Sequence, residues 1–298
     1  MIAAMIDRLN MFMVLARERH FGRAAEALGI TQPSLSSAIK ALEEHLSVQL
    51  VRRGSRFQGL TPEGERVLDW ARRIVGDARA MEAEMAATRR GVTGRLRLGV
   101  IPTAMPRIAA LTAPFLDAHP DADVTILSRS SDEIRDQIAA LELDAGVTYL
   151  DNEPLGHVQT RPLYRETYCL IDRSGATGPA DWAEAAARPL CLLTPDMQNR
   201  RIVSAHLAAH SPVIAPRVES NSMLAILSHV ATGKWAAVLP RALALGLPLP
   251  EGVHARDLRG AAGHVVGLVV AGREPQPPIV AALLAEAGSI EDDSGLIV

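Results

Sequence analysis

The segment from Phe21 to Glu43 restricts the possible fold more than any other, because it predicts two short helices joined by a tight turn. An apolar stripe at helical spacing marks the first helix and comprises Ala24, Ala25 and Leu28. Gly29 follows this stripe and can adopt the left-handed conformation that commonly ends a helix. Thr31 is a favourable N-cap for the second helix. The pattern therefore predicts a helical hairpin.

The second helix has two unlike faces. Its core face is predicted to comprise Leu35, Ala38, Ile39 and Leu42. Its outer face is short and polar and comprises Gln32, Pro33, Ser34, Ser36, Ser37 and Lys40. Pro33 is tolerated in the first turn because its missing N–H would have no helical partner there. Such a hairpin fits a helix placed in the major groove of DNA, and the alternative is an ordinary helical hairpin of a soluble core.

A small cationic hairpin is predicted directly after these helices. Two short apolar runs, residues 46–51 and 57–60, bracket a Gly-Ser turn. The basic side chains around this turn are Arg52, Arg53 and Arg56. A wing of this kind can reach phosphates or the minor groove beside a recognition helix. It favours DNA binding over the ordinary hairpin.

The order of these features resembles the N-terminal signature of LysR-type transcriptional regulators. The matching residues are Phe12, Ala16, His20-Phe21, Ala24-Ala25, Leu28, Gln32-Pro33-Ser34-Leu35-Ser36, Ile39, Leu42-Glu43, Leu50, Arg53 and Leu60-Thr61-Pro62-Glu63-Gly64. Ser37 departs from the pattern, since the family often has a longer polar residue such as Arg at this base-contacting position. The resemblance implies a pseudo-palindromic operator in double-stranded DNA, a homodimer or homotetramer, and control by a small-molecule effector. RNA polymerase is a further candidate partner.

Residues from Pro62 to Gly91 predict one long helix. Its apolar stripe comprises Val67, Leu68, Ala71, Ile74, Val75, Ala78, Met81 and Met85. A helix of this length cannot bury its stripe on so small a DNA-binding domain. It is therefore expected to pair with a second copy, as the linker helices of the LysR family do. The alternative is a helix that lies along its own effector domain.

The remaining residues alternate strands and helices, which predicts doubly wound parallel α/β sheets. The predicted elements include a helix from about Met105 to Ala118, a crossover strand over Leu163–Asp172 and a strand near Val213–Glu219. A late strand, His264 to Val270, is expected to return to the first set. The family resemblance implies a two-lobed, periplasmic-binding-protein-like effector domain. The expected divisions are a winged helix-turn-helix at 1–62, a linker helix at 63–93, and an effector domain at 94–298 with lobe I at 94–164 and 265–298 and lobe II at 165–264.

Three strand-to-helix junctions are candidate effector contacts, because ligands of such sheets bind where helix N-terminal amides converge. They are Pro102-Thr103-Ala104, Ser130-Ser131 and Asn221-Ser222. Tyr149 and Tyr164 are candidates for a wall or a hydroxyl of the site, and Arg200 and Arg201 for a charge. The alternative for the two arginines is solvated surface. Taken singly, each Ser or Thr is better explained as an N-cap. The three positions together match pocket positions of the family and indicate an organic acid or small oxyanion as the effector.

Composition agrees with a regulator that acts in the cytoplasm. The 298 residues suit two or three domains, and the net charge is +3 for residues 1–94 and −6 for the remainder. Cys169 and Cys191 form no redox pair or disulfide framework, and no signal peptide or membrane span is expected.

An enzyme is not expected, because the motifs of hydrolases, zinc proteases and nucleotide-binding folds do not occur. Among the scattered histidines, His206 and His210 share a helical face but lack a third ligand type nearby, so no metal or cofactor is predicted. Two alternatives stay open. They are a nucleoid protein without an effector and an enzyme built on a two-lobed scaffold.

Overall fold

The computed structural model describes residues 2–52, 57–211, 215–246, 248–260 and 262–288. These form two compact units, one comprising Met1–Arg89 with Ala139–Leu141 and the other Arg90–Ile138 with Glu142–Val298. Among the described helices, none is long and apolar enough to cross a membrane.

The N-terminal unit contains helices α1 (Ile2–Glu18), α2 (Phe21–Ala27), α3 (Gln32–Leu46) and α4 (Pro62–Arg90). Helix α1 is an addition to the helices that the sequence predicts. It supplies Leu9, Phe12 and Leu15, each almost fully buried, to a core shared with α2 and α3. The predicted hairpin thus rests on a third helix, which fixes the angle at which α3 is presented.

The ends of α2 and α3 have the predicted chemistry. Gly29 adopts a φ of +67°, and the Thr31 side chain accepts a hydrogen bond from the Ser34 N–H. His20 caps α2, because its Nδ1 accepts hydrogen bonds from the N–H groups of Gly22 (3.0 Å) and Arg23 (3.3 Å). The turn between the two helices is therefore set by local residue types.

The base of the wing is held by α3 and α4. Val51 and Leu60 form an antiparallel bridge, and Oε1 of Glu43 accepts hydrogen bonds from the N–H groups of Leu50 (2.7 Å) and Val51 (3.2 Å). A Cβ at Gly64 would lie 2.1 Å from the Leu50 carbonyl oxygen, so only glycine fits there. The predicted turn of the wing, residues 53–56, lies outside the described residues.

Helix α4 spans 29 residues and confirms the predicted long helix. Leu68, Ala71 and Val75 are buried against the N-terminal core. Other apolar side chains of this helix are exposed, namely Trp70 (61%), Ile74 (38%), Met81 (60%) and Met85 (56%). The helix therefore buries one apolar stripe and leaves a second one facing solvent.

The first lobe of the second unit is a five-stranded mixed sheet in the order β2-β1-β3-β10-β4. Its strands are β1 (Gly94–Val100), β2 (Ala122–Ser128), β3 (Ala145–Tyr149), β4 (Val158–Glu166) and β10 (His264–Ala271). The helices of this lobe are α5 (Ala109–Ala118), α6 (Ser131–Ala139) and α11 (Pro278–Ala287), and a 3-10 helix spans Pro102–Arg107.

The second lobe contains a three-stranded sheet, β8-β5-β9, and a two-stranded sheet, β6-β7. Its strands are β5 (Tyr168–Asp172), β6 (Cys191–Leu192), β7 (Val218–Glu219), β8 (Ala237–Pro240) and β9 (His254–Asp257). Its helices are α7 (Trp182–Ala186), α8 (Gln198–Ala208), α9 (Met223–Ala231) and α10 (Arg241–Gly246).

Four details differ from the sequence predictions. The sheets are not all parallel, because β10 is antiparallel to β3 and β4, and β5 is antiparallel to β8 and β9. The strand expected over Leu163–Asp172 divides after Glu166 into β4 and β5, which belong to different sheets. The helix expected from Met105 begins at Ala109, after the 3-10 helix that contains Pro106. Of the strand expected over Val213–Glu219, β7 covers only the end, and residues 212–214 lie outside the described residues.

Candidate DNA interface and effector cleft

The outer face of α3 is polar and exposed, as the sequence predicts. The exposed residues are Gln32, Pro33, Ser34, Ser36, Ser37 and Lys40. The opposite face is anchored in the core by Leu35, Ile39 and Leu42. A rigidly packed helix with short polar side chains outward has the shape and the hydrogen-bonding groups that read base edges in a major groove.

The polar side chains of this face are not equally free. The Ser34 hydroxyl lies 2.8 Å from the Thr31 hydroxyl and belongs to the helix cap. Lys40 Nζ lies 3.7 Å from Oε1 of Glu44, but both side chains are exposed, so this pair restrains the lysine little. In the described part of the chain, the side chains of Gln32, Ser36 and Ser37 make no hydrogen bond, which leaves them available to a partner.

The wing is described only at its base. Arg52 is exposed, and its Nε donates a hydrogen bond to the Leu60 carbonyl (3.1 Å), which fixes the side chain along the β-bridge. Arg53 and Arg56 lie outside the described residues, so their predicted phosphate or minor-groove contacts stay predictions.

A cleft of about 590 Å³ lies between the two lobes of the second unit. The first lobe lines it with Pro102, Met105, Ser128, Arg129, Ser130 and Glu133, and the second lobe lines it with Asp196, Met197, Asn221, Ser222 and Met223. Its size suits a small organic molecule.

The structure brings some of the predicted effector contacts to this cleft and places others behind it. Pro102, Ser130 and Asn221 line the cleft. The buried residues that do not line it are Thr103, Ala104, Ser131, Tyr149 and Tyr164. The Ser131 hydroxyl accepts a hydrogen bond from Thr148 (2.9 Å), and the Tyr164 ring lies under the guanidinium of Arg107 at 4.4 Å.

Arg200 does not face the cleft. Its Nη1 donates hydrogen bonds to Oε1 of Glu219 (2.5 Å) and to the Leu193 carbonyl (2.8 Å). Its Nε donates to the Ser204 hydroxyl (2.9 Å). The predicted role as a charge for the effector therefore has no support from its position, because this guanidinium serves the second lobe internally.

The two helices that begin at the cleft are capped by their own residues. Ser130 and Glu133 form a reciprocal capping box at α6, in which Oε2 of Glu133 accepts from the Ser130 N–H (2.7 Å) and the Ser130 hydroxyl accepts from the Glu133 N–H (3.3 Å). At α9, the Ser222 side chain accepts from the Ala225 N–H (3.4 Å). The cap reading of these serines is thus correct, and it applies together with their position at the cleft.

Buried polar groups join the lobes behind the cleft. Asn199 of α8 donates a hydrogen bond to the Tyr149 hydroxyl (3.1 Å), which in turn donates to Oε1 of Glu166. Glu166 is 1% exposed, and its second oxygen has no hydrogen-bond partner among the described residues. Burial raises the pKa of Glu166 to about 8. The sequence motifs gave no signal for this carboxyl, whose burial depends on the contact between the lobes.

An ion pair also crosses between the lobes. Nε and Nη2 of Arg201 donate to the two carboxylate oxygens of Glu153 at 2.6 and 2.7 Å. These hydrogen bonds hold the pKa of Glu153 below its usual range. The pair and the Asn199–Tyr149–Glu166 chain are two polar links that a movement of the lobes would have to change.

Both cysteines are buried in the second lobe. Burial is the main cause that raises the pKa of Cys169 to about 12 and that of Cys191 to about 11. Neither thiol therefore ionises near neutral pH, so neither offers a reactive thiolate in this fold. Within the described ranges, no three His, Cys, Asp or Glu side chains form a group that could hold a metal ion.

Two family models match the chain. The model described as bacterial regulatory helix-turn-helix protein, lysR family, matches residues 6–65. The model described as LysR substrate binding domain matches residues 89–289. The first match contains the exposed face of α3, and the second contains all residues that line the cleft.

Curated relatives are regulators of the same kind. The chain is 31% identical over 245 residues to the transcriptional regulator IlvR of Caulobacter vibrioides, a match that covers 80% of this chain and 83% of the relative. It is 34% identical over 196 residues to a probable hydrogen peroxide-inducible genes activator of Streptomyces viridosporus, covering 64% and 62%. It is 37% identical over 147 residues to XapR of Escherichia coli, covering 49% and 50%. The chain thus spans less than two thirds of the last two relatives.

Solved structures agree over nearly the whole chain. A full-length OxyR variant from Pseudomonas aeruginosa has a TM-score of 0.76 at 25% identity, covering 96% of this chain and 95% of the other. CbnR in complex with its target DNA has a TM-score of 0.60 at 23% identity, covering 96% and 99%. The second likeness concerns the fold alone.

Proposed function

The chain belongs to the LysR family of transcriptional regulators, and from this membership we propose that it controls transcription in response to a small molecule bound between its lobes. The exposed polar face of α3 would read the operator, and the interlobe cleft would receive the effector. The observation that carries the proposal is the combination, in one chain, of a packed recognition helix and a cleft of about 590 Å³.

Pairing through α4 would place two recognition helices on one operator. Such pairing would bury the exposed apolar residues of α4. In a lone copy these large side chains would form an apolar patch in contact with water, which is unfavourable. Two copies related by a two-fold axis recognise a pseudo-palindromic site with half-sites about one helical turn apart, or a multiple of it. The assembly would be a dimer, or a tetramer made of two such dimers.

The effector would act by changing the relation of the lobes. A ligand shifts a protein between two conformations only if it binds one of them better. Both lobes line the cleft, so a bound ligand that moves one lobe relative to the other would change the two polar links between them. These links are the Arg201–Glu153 pair and the Asn199–Tyr149–Glu166 chain. The place of action would be the cytoplasm, where the operator and RNA polymerase are found.

A peroxide-sensing cysteine is not part of the proposal. Relatives of the chain are named as hydrogen peroxide-inducible activators, and a thiol reacts with peroxides as the thiolate. Cys169 and Cys191 are buried, with raised pKa values. A nucleoid protein is likewise not favoured, because architectural DNA binding gives no use to the interlobe cleft.

Selection of duplexes from a random pool by the purified full chain at fixed salt tests the proposal. We expect enrichment of one sequence with two-fold symmetric half-sites and a steep loss of affinity with salt. The matched control is a chain in which Gln32, Ser36 and Ser37 are all alanine, which leaves the core face of α3 unchanged. Enrichment of no sequence, or equal enrichment by the control, would contradict the assignment of α3.

A further inference from the structure

We infer that the interlobe cleft binds an organic amine. The apolar body of the ligand would lie between methionine side chains, and its ammonium group would contact carboxylates. The inference rests on the proposed function, since it names the effector class of the same cleft. It departs from the organic acid that the sequence indicates. Four features of the lining lead to it.

The N-cap positions of both helices that begin at the cleft are already served by acceptors of the chain itself. An anion at the start of a helix binds the free N–H groups of the first turn. At α6, the carboxylate of Glu133 itself accepts from the Ser130 N–H, and a second anion there would be repelled by it. At α9, the Ser220 hydroxyl accepts from the Ser222 N–H (3.1 Å) and Ser222 caps the next turn. At both helix starts the N–H of the N-cap residue and one N–H of the first turn are thus already bonded, and the Glu133 carboxylate disfavours an anion at α6.

The charges of the lining favour a cation. Glu133 and Asp196 contribute two carboxylates, whereas Arg129 contributes one guanidinium. Nε of Arg129 donates to Oε1 of Gln137 (3.2 Å) and Nη1 donates to the Ser128 carbonyl (2.8 Å), so this guanidinium is tied to its own lobe.

Arg201 does not alter this balance. Its Nη1 donates to the main-chain oxygen of Asp196 (2.8 Å), but its charge is already neutralised by the two hydrogen bonds to Glu153. The Asp196 carboxylate is exposed and makes no hydrogen bond with the described residues. It is therefore an acceptor that a ligand N–H can use without breaking a hydrogen bond, although it already faces the charge of Arg201.

The apolar part of the lining is made of thioethers from both lobes. Met105 belongs to the first lobe, and Met197 and Met223 belong to the second. Unbranched, polarisable methionine side chains adapt to a flat or extended hydrocarbon and make favourable contacts with aromatic rings. With Pro102 beside them, they form walls for the body of the ligand.

Three probes that share one hydrocarbon test the inference, namely 3-phenylpropylamine, 3-phenylpropanol and 3-phenylpropionate. Thermal melts of the full chain are recorded with each probe at millimolar concentration, constant ionic strength and pH 7. We expect the amine to raise the melting temperature most and the propionate to have no effect. Asp196→Asn, and Glu133→Gln, which keeps the cap acceptor, should each weaken amine binding roughly tenfold.

Asp117→Asn is the matched control, because Asp117 is an exposed carboxylate of α5 away from the cleft lining. It should bind the amine like the unaltered chain. Preference for the propionate, binding of none of the probes, or loss of amine binding in the control would overturn the inference. Operator selection by the same protein is independent of these outcomes, so a chain that selects an operator but ignores the amine refutes the ligand class alone.

Discussion

At the scale of single residues, Glu166 is unusual because its buried carboxyl group has a raised pKa. Its carboxyl group is buried at the junction of the lobes, where one oxygen accepts a hydrogen bond from Tyr149 and the other has no partner within the described ranges. Desolvation of the charged form is the largest cause that raises its pKa to about 8, from an ordinary value of 4.5. The proton it retains is therefore linked to the stability of the fold.

The pH dependence of stability should reveal this proton. Between about pH 4.5 and 8, the unfolded chain loses the proton while the folded chain keeps it, so the free energy of unfolding falls as pH rises. The slope from this group is at most about 1.4 kcal/mol per pH unit, and it vanishes below and above that window. Glu166→Gln should remove it. Melting temperatures from pH 5 to 9 check this, with Glu65→Gln on exposed α4 surface as the control. A constant difference between variant and parent across the range would exclude the linkage.

Gln32 is the residue for which specific base readout is predicted most sharply. It is exposed at the start of α3 and can bridge the edge of an adenine with two hydrogen bonds. Gln32→Ala should cost roughly 1–3 kcal/mol on the selected operator and little on random DNA. Fluorescence anisotropy at fixed salt measures both affinities. Lys40→Ala is a useful comparison, since a phosphate contact should weaken both by similar factors. Equal losses for Gln32→Ala would remove it from the readout set.

At the scale of elements, the residue types of each segment predict the helix-turn-helix and α4. They do not predict which distant strands pair with each other. Caps such as Thr31 and the turn at Gly29 depend on neighbouring residues, and both are confirmed. The division of one apolar stretch into β4 and β5 depends on which sheet each half joins. The antiparallel pairing of β5 depends likewise on strands more than sixty residues away. The spacing of apolar residues indicates which face of a segment is buried, but it does not indicate which other segment covers that face.

The junction of α4 with the wing makes a prediction of its own. Gly64→Ala would place a Cβ 2.1 Å from the Leu50 carbonyl oxygen. This oxygen cannot easily move away, because it belongs to the main chain and accepts a hydrogen bond from the Thr61 N–H. The variant should lose about 1–3 kcal/mol of stability in the N-terminal unit. Thermal melts and operator binding should both report it, and Glu65→Ala, one position along the same helix and exposed, is the control. Melting unchanged from the parent would mean that the wing moves aside at no cost.

At the scale of the whole molecule, function depends on surfaces that sequence patterns locate only in part. Pro102, Ser130 and Asn221 were predicted from strand-to-helix junctions and line the cleft. Its methionines and Asp196 were not predicted, because a methionine at helical spacing reads as core and an aspartate in a loop reads as solvated surface. These residues come together in one cleft lining only because the two lobes pack against each other.

Assembly is the second property at this scale. Met81 and Met85 are exposed on α4, and we expect a second copy to cover them. Replacing both by Glu should dissociate the oligomer through like-charge repulsion and lost apolar burial. Affinity for the full operator should then fall at least roughly tenfold, while affinity for one half-site stays unchanged. Sedimentation velocity measures the oligomer, and Glu82→Lys, off the stripe, is the control. A monomeric parent chain would refute the pairing.

The burial of both native thiols has a practical consequence for work on this chain. Maleimides and similar reagents attack thiolates, and Cys169 and Cys191 offer none near neutral pH. A cysteine introduced at an exposed position of the cleft, such as Asn221→Cys, would then be the single labelled atom in the molecule. A fluorophore attached there would test whether the lobes move when a ligand binds, and the two native cysteines could stay in place.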